Sequence, residues 1–192
     1  MSHSVQNPDM SKIFLVGMPG CGKSTVGKVL AQQLGHLFLD LDSLIEEQEE
    51  LTVPQVFEQQ GQTYFREAEA RALRLAVASH KKIVLATGGG APCFCDNMNF
   101  MVSSGLPVYL KLSPQELVQR LSPLDLQARP LLRDKTPAEL LQYLTDTLHQ
   151  RELFYDQAFC MVEVGSASVS AVSDKILECI TTASAPRVGG SR

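Results

Sequence analysis

The stretch Gly17–Thr25, GMPGCGKST, restricts what this chain can fold into more than any other. It fits G-x-x-x-x-G-K-[ST], with Gly17, Gly22, Lys23 and Ser24 at the fixed positions. The apolar run Ile13–Gly17 precedes it and reads as a short buried strand. Ser24–Leu34 follows with helical spacing, Val26, Val29, Leu30 and Leu34 sharing a face before Gly35 ends the helix. A strand that passes through a glycine loop into a helix wraps backbone N–H groups around an anion, and the helix adds the positive end of its dipole. Lys23 would bring a mobile cation to the β- and γ-phosphates of a nucleotide, and the Ser24 hydroxyl can ligate Mg²⁺ directly. Gly20, Cys21, Gly22, Lys23, Ser24 and Thr25 form the expected phosphate-binding set, with Cys21 acting through its backbone.

Such a loop alone fits GTPase switches, motors, transport ATPases and small-molecule kinases. At 192 residues the chain suits one domain and is short for a large machine. No N-K-x-D and no D-x-x-G after the second strand argues against a GTPase. The formal charge of -4 gives no basic excess for nucleic acid. The apolar runs are too short for a membrane span, and the opening MSHSVQNPDM lacks the character of a signal peptide. Five cysteines at irregular spacing (Cys21, Cys93, Cys95, Cys160, Cys179) suggest reduced thiols in a cytoplasmic protein. The four histidines do not cluster, which disfavours a histidine metal site.

Along the chain, strand and helix patterns alternate. LFLDLD (Leu37–Asp42) reads as a second strand, SLIEEQEE as a short acidic helix, and Thr52 with Pro54 as the start of another ending near Gly61. Tyr64–His80 reads as a long helix with Phe65, Ala68, Ala72, Leu75 and Ala76 on neighbouring faces. KIVLATGGG is a strand running into glycines, and PVYLKL and CMVEV are further strands. SPQE from Ser113 and TPAE from Thr136 are capping boxes with proline in the first turn. The second opens a helix to about Tyr155, and Val169–Ile180 is the last helix. The pattern predicts an α/β fold with a parallel sheet covered on both faces. Residues 1–11 and 182–192 read as disordered ends of a single domain, 12–181.

A second constellation lies outside the phosphate loop. Asp40 and Asp42 are expected on one face at the end of strand two, at the carboxyl edge where ligands sit in such sheets. One would stand near Mg²⁺ and the other near an acceptor hydroxyl, unless both belong to a solvated turn. Arg66, in YFRE, opens a helix, where a cation is disfavoured unless an anion faces it. An ordinary surface arginine is the alternative. Gly88, Gly89 and Gly90 permit close backbone approach to a ligand. Arg129, in the aperiodic ARPLL stretch, could close over a nucleotide. Arg151, late in its helix, could pair with Arg66 on a carboxylate or merely cap the helix end.

Taken together, GMPGCGKST, FLDLD, YFRE, LATGGG, ARPLL and RELFY resemble, in order and rough spacing, the shikimate kinase family. The resemblance covers about residues 12–181. It implies a nucleoside-monophosphate-kinase-like P-loop fold: a three-layer α/β/α sandwich on a five-stranded parallel sheet. It implies transfer of the γ-phosphoryl group of ATP to the 3-hydroxyl of shikimate, on the route to chorismate and the aromatic amino acids. Asp42 would bind the acceptor hydroxyls and take the proton, and Arg66 and Arg151 would hold the substrate carboxylate. The backbone of Gly88, Gly89 and Gly90 would meet the ring hydroxyls, and Phe57 would pack near the ring. Lys23 and Arg129 would stabilise the phosphoryl group in flight, and Arg120 would lie against the nucleotide. Ser24 would bind Mg²⁺ directly and Asp40 through water. Residues 121–135 would form a lid and residues 42–80 a substrate-binding segment. The implied partners are ATP and shikimate, with no nucleic acid or membrane, for a monomeric cytoplasmic enzyme.

The chain departs from the family pattern in places. Gln62 stands in GQTYFRE where many relatives carry an acid, and EVGSAS lacks the Asp-Thr and basic residues common in the loop that would meet adenine around Ser166–Ser168. The lid reads as slightly longer than in compact relatives, and the cysteines of APCFCDN are unusual. Two alternatives stay open at this stage: another small-molecule kinase of the same fold, such as a gluconate kinase, or a nucleotide-binding module without catalysis.

Overall fold

A computed structural model describes residues 10–121, 132 and 135–183. Its five strands are β1 (Lys12–Val16), β2 (Leu37–Asp40), β3 (Ile83–Ala86), β4 (Leu106–Lys111) and β5 (Cys160–Glu163). They pair in the order β2-β3-β1-β4-β5, all parallel. Residues Ile13–Val16 and Ile83–Val84 are wholly excluded from solvent. Successive strand residues point to opposite faces, so burial without alternation means that both faces are covered. The expected five-stranded α/β architecture is the one observed. Because all strands are parallel, the phosphate loop, Asp40, the glycine loop and the loops after β4 and β5 leave the sheet at one edge. β1 stands at its centre between β3 and β4, where ligands bind in such folds.

The helices are α1 (Lys23–Leu34), α2 (Leu41–Glu49), α3 (Val53–Ser79), α4 (Asn97–Ser104), α5 (Pro114–Arg120), α6 (Pro137–Tyr155) and α7 (Val169–Ala183), with a 3₁₀ turn at Ala91–Cys93. α1 and α7 pack together on the sheet. Val26 and Leu30 of α1 and Val172, Ile176 and Ile180 of α7 join its core. Both sequence-predicted capping boxes form. Ser113 and Thr136 accept from the backbone N–H three residues on, and Glu116 and Glu139 reach back. Thr52 and Gln55 make a third at the start of α3. Each such cap contributes about 1 kcal/mol and fixes where its helix begins.

Several expectations are corrected. LFLDLD is not all strand: β2 ends at Asp40, and Leu41 and Asp42 already belong to α2. Asp40 caps that helix by accepting from the Asp42 N–H at 3.1 Å, so the two acids do not share a strand face. The two helices expected on either side of Gly61 are present: α3 is two helical stretches that meet at a kink, where Gly61 takes φ 81° and ψ 175°, outside the helical range. Arg66 lies early in the second of these stretches, near its start as expected. Leu75 is 54% exposed and does not join the buried face of α3. α4 was not foreseen: Asp96 stands at its N-cap, but NMNFMVSS is short and lacks a clean apolar period.

Candidate active site

The phosphate loop is built on backbone that side chains rarely adopt. Gly17 has φ 139° and Gly22 φ 97°, and a Cβ on Gly17 would lie 2.6 Å from the Leu110 carbonyl oxygen. Lys23 is nearly buried, and its ammonium donates to the carbonyls of Gly17 and Met18, both at 2.9 Å. That holds the cation inside the loop's curve. Cys21 is buried beneath the loop, while Ser24 and Thr25 face outward from the first turn of α1. The Ser24 hydroxyl donates to Asp40 at 2.6 Å. Ser24 and Asp40 thus place two hard oxygens together at the helix N-terminus, a donor set that suits Mg²⁺.

The glycine loop after β3 is the meeting point of the other candidates. The fixed reference is where a Cβ would stand on each glycine. At Gly88, Glu69 Oε1 lies 2.9 Å and Asp42 Oδ1 3.1 Å from that point. At Gly89, Pro19 of the phosphate loop lies 2.6 Å away and an Arg151 Nη 3.1 Å away. At Gly90, the two Nη atoms of Arg66 lie 2.7 and 2.9 Å away. Three successive glycines therefore touch a pair of carboxylates, one arginine and a second arginine, and any side chain there would displace them. The loop is held from behind. The Tyr155 hydroxyl, one turn beyond Arg151 on α6, donates to the Gly89 carbonyl at 2.5 Å. Thr87 donates to the Leu15 carbonyl at 3.0 Å.

Arg66 donates to Glu69 at 2.7 Å, and Glu69 is 1% exposed. Burial pushes the Glu69 carboxyl up to about 7; the Arg66 cation opposes that shift, and Asp42 reinforces it. Three aromatic rings surround the Arg66 guanidinium: Phe94 at 4.2 Å, Phe65 at 5.1 Å and Phe57 at 5.9 Å from Cζ. Phe57 stacks on Phe65 at 4.2 Å, which carries the front of α3 against its rear across the Gly61 kink. The Cys93 thiol stands half-buried beside Arg151, Arg66 and Glu69, its pKa raised by burial.

Lys23, Ser24 and Asp40 form one cluster. Asp42, Arg66, Arg151, Gly88, Gly89 and Gly90 form a second, joined to the first by Pro19 and by the Asp40–Asp42 link. Phe57 borders the second cluster. Arg120 stands apart from both, donating to the Gly165 carbonyl in the loop after β5. That bond ties the end of α5 to the stretch expected at adenine. Arg129 and most of the expected lid lie outside the described residues. Sequence reasoning missed Glu69, Phe94 and Tyr155. Glu69 had a local signal, since FREAE sets Arg and Glu three residues apart on one helix. Phe94 and Tyr155 had none, because their partners are distant in sequence.

A family model for shikimate kinase matches residues 19–181. The chain is 45% identical to a shikimate kinase of Parabacteroides distasonis over 78% of this chain and 85% of that one. Among solved structures it is similar to a shikimate kinase from Bacteroides thetaiotaomicron, with TM-score 0.82 and 36% identity over 90% of this chain and 99% of that one. It is equally similar to one from Acinetobacter baumannii determined in complex with shikimate, with TM-score 0.82 and 37% identity over 90% and 94%. Sequence, fold and the pairing of a phosphate loop with an arginine-flanked glycine loop agree: the chain belongs to the shikimate kinase family.

Proposed function

We propose that the chain transfers the γ-phosphoryl group of ATP to the 3-hydroxyl of shikimate, giving shikimate 3-phosphate and ADP. The observation that carries this reading is the glycine loop. It gathers Asp42, Arg66 and Arg151 within reach of Gly88–Gly90 and touches the phosphate loop through Pro19. The phosphate loop cradles the triphosphate through its backbone, and Lys23 moves from the Gly17 and Met18 carbonyls to the phosphates. Mg²⁺, the usual cofactor of the family, neutralises phosphate charge when bound, and Ser24 and Asp40 would hold it, Asp40 through water.

Arg66 and Arg151 take the acceptor's carboxylate. The glycine backbone and Asp42 take its hydroxyls, and Asp42 accepts the proton of the attacking one. Phosphoryl transfer requires in-line positioning and charge stabilisation more than covalent help, and this division of labour supplies both. Arg129 would meet the transferred group as residues 121–135 close, and Arg120 would lie along the nucleotide. Residues 42–80 form the acceptor-binding part of a single domain, 12–181. A cytoplasmic monomer is the simplest setting, since five free cysteines suit a reducing compartment.

Coupled release of ADP tests the reading, with shikimate, quinate, gluconate and nucleoside monophosphates supplied singly to the full chain with ATP and Mg²⁺. Turnover is expected with shikimate. Turnover with gluconate in its place would move the chain to the gluconate-kinase reading. ATP binding without turnover on any acceptor would favour a nucleotide-binding module.

A further inference from the structure

Arg66 is held on more sides than an ion pair requires, and the single segment Gly90–Cys95 touches it at three points. The guanidinium lies against the Gly90 α-carbon. The Phe94 ring lies 4.2 Å from Cζ, nearer than the other two aromatic rings. The Cys95 thiol donates to the carbonyl of Arg66 itself at 3.5 Å. This segment is fixed in turn. Asn97, fully buried, donates to the Ala91 carbonyl at 3.0 Å and accepts from Arg74 at 2.8 Å. Arg74 also donates to the Cys95 carbonyl at 3.0 Å.

The grip leaves one edge of the cation without a partner among the described residues. Nη1 is committed to Glu69. Nε is buried and has no hydrogen-bond partner among the described residues. Nε and Nη2 together form the guanidinium edge that can make two parallel hydrogen bonds to a carboxylate. Phe94 is 36% exposed and Phe65 only 3%, so Phe65 is fixed by core packing while Phe94 is spared that duty. A large apolar ring left partly in water and stacked on a cation is best explained by what it does to that cation.

We infer that Phe94 is a positioning residue for the acceptor's carboxylate. Its ring fixes the plane of the Arg66 guanidinium, and with it the direction of the unpartnered Nε, before the acid binds. Without the ring the guanidinium can turn about its last torsion, and part of the binding free energy goes into reordering it. The inference rests on the acceptor being a carboxylate, as in the proposed function.

The test compares the unsubstituted enzyme, Phe94→Leu and Phe94→Tyr, each assayed with shikimate, with shikimate methyl ester and with ATP varied. Phe94→Leu is expected to raise KM for shikimate about tenfold, equivalent to about 1.4 kcal/mol, with kcat and KM for ATP changed by less than about twofold. Phe94→Tyr, which keeps the ring, is expected to restore the original KM. The ester lacks the anion, so Phe94→Leu is expected to leave its kinetics alone. An unchanged KM for shikimate in Phe94→Leu, or an equal rise for acid and ester, would overturn the inference while leaving the kinase reading intact. Failure of the unsubstituted enzyme to use shikimate would instead overturn the functional reading on which the inference stands.

Discussion

Arg66 and Glu69 form a 2.7 Å ion pair inside α3, with the acid almost sealed from water and the base wedged against Gly90. Burial pushes Glu69 up to about 7, so the acid changes charge near neutral pH. The sign follows from the groups around it. Below that pH Glu69 is neutral, Arg66 and Arg151 keep their charges, and the pocket is most positive toward a carboxylate ligand that is itself ionised throughout. Above it Glu69 is an anion, competes for Arg66 and repels the ligand. KM for shikimate should therefore rise as pH increases through 7. Glu69→Gln should flatten the rise. A pH profile of kcat/KM for both proteins decides this; an equally steep profile in the variant would assign the titration elsewhere.

Gly90→Ala should injure acceptor binding and little else. A methyl group would stand 2.7 Å from one Arg66 nitrogen and 2.9 Å from the other. A flexible arginine can move aside, so the fold survives, but the charge-assisted bonds it would make to a carboxylate are misplaced. KM for shikimate should rise at least about tenfold while KM for ATP holds. Equal weakening of both substrates would mean that the loop serves the nucleotide as well.

Tyr155→Phe removes the donor that satisfies the Gly89 carbonyl and leaves the ring packed against Tyr109 at 5.0 Å. The Gly89 carbonyl is only partly buried, so losing this bond should cost about 1 kcal/mol. Denaturant unfolding should show a loss of that order, with KM for shikimate raised because the loop is no longer pinned. Unchanged stability would indicate that water replaces the phenol.

Arg129→Ala and Asp42→Asn separate charge stabilisation from proton transfer. Loss of a cation at the migrating phosphoryl group should lower kcat by about two to three powers of ten. If only KM for ATP moves, Arg129 binds nucleotide and takes no part in the transition state. Asp42→Asn should abolish most turnover if the carboxylate accepts the proton. Near-normal kcat with a raised KM for shikimate would reduce Asp42 to a binding residue.

What could be read from the sequence was whatever is decided locally. The phosphate loop is legible because every atom that makes it comes from nine consecutive residues. The boxes at Ser113 and Thr136 are legible because cap and partner lie three residues apart. Asp42 was assigned to a strand because Leu37, Leu39 and Leu41 alternate as strand residues do. The chain turns helical one residue earlier, where the Asp40 side chain takes up a backbone N–H. The break at Gly61 was legible because glycine readily accepts its left-handed φ, and Arg66 follows early in the second stretch of α3. The roles of Glu69, Phe94 and Tyr155 depend on the fold bringing α3, the 3₁₀ segment and α6 around three glycines, and no window of sequence contains that encounter.

The junction between β2 and α2 has no loop at all, since Asp40 ends one element and caps the next. One of its oxygens meets the hydroxyl of Ser24 and the other the N–H of Asp42. A single carboxylate thus links the phosphate loop to the backbone of Asp42, and only two peptide units separate residues 40 and 42, with no loop to drift. Any change at residue 40 should register in the handling of both substrates together, and an inserted residue there would break the alignment rather than merely loosen it.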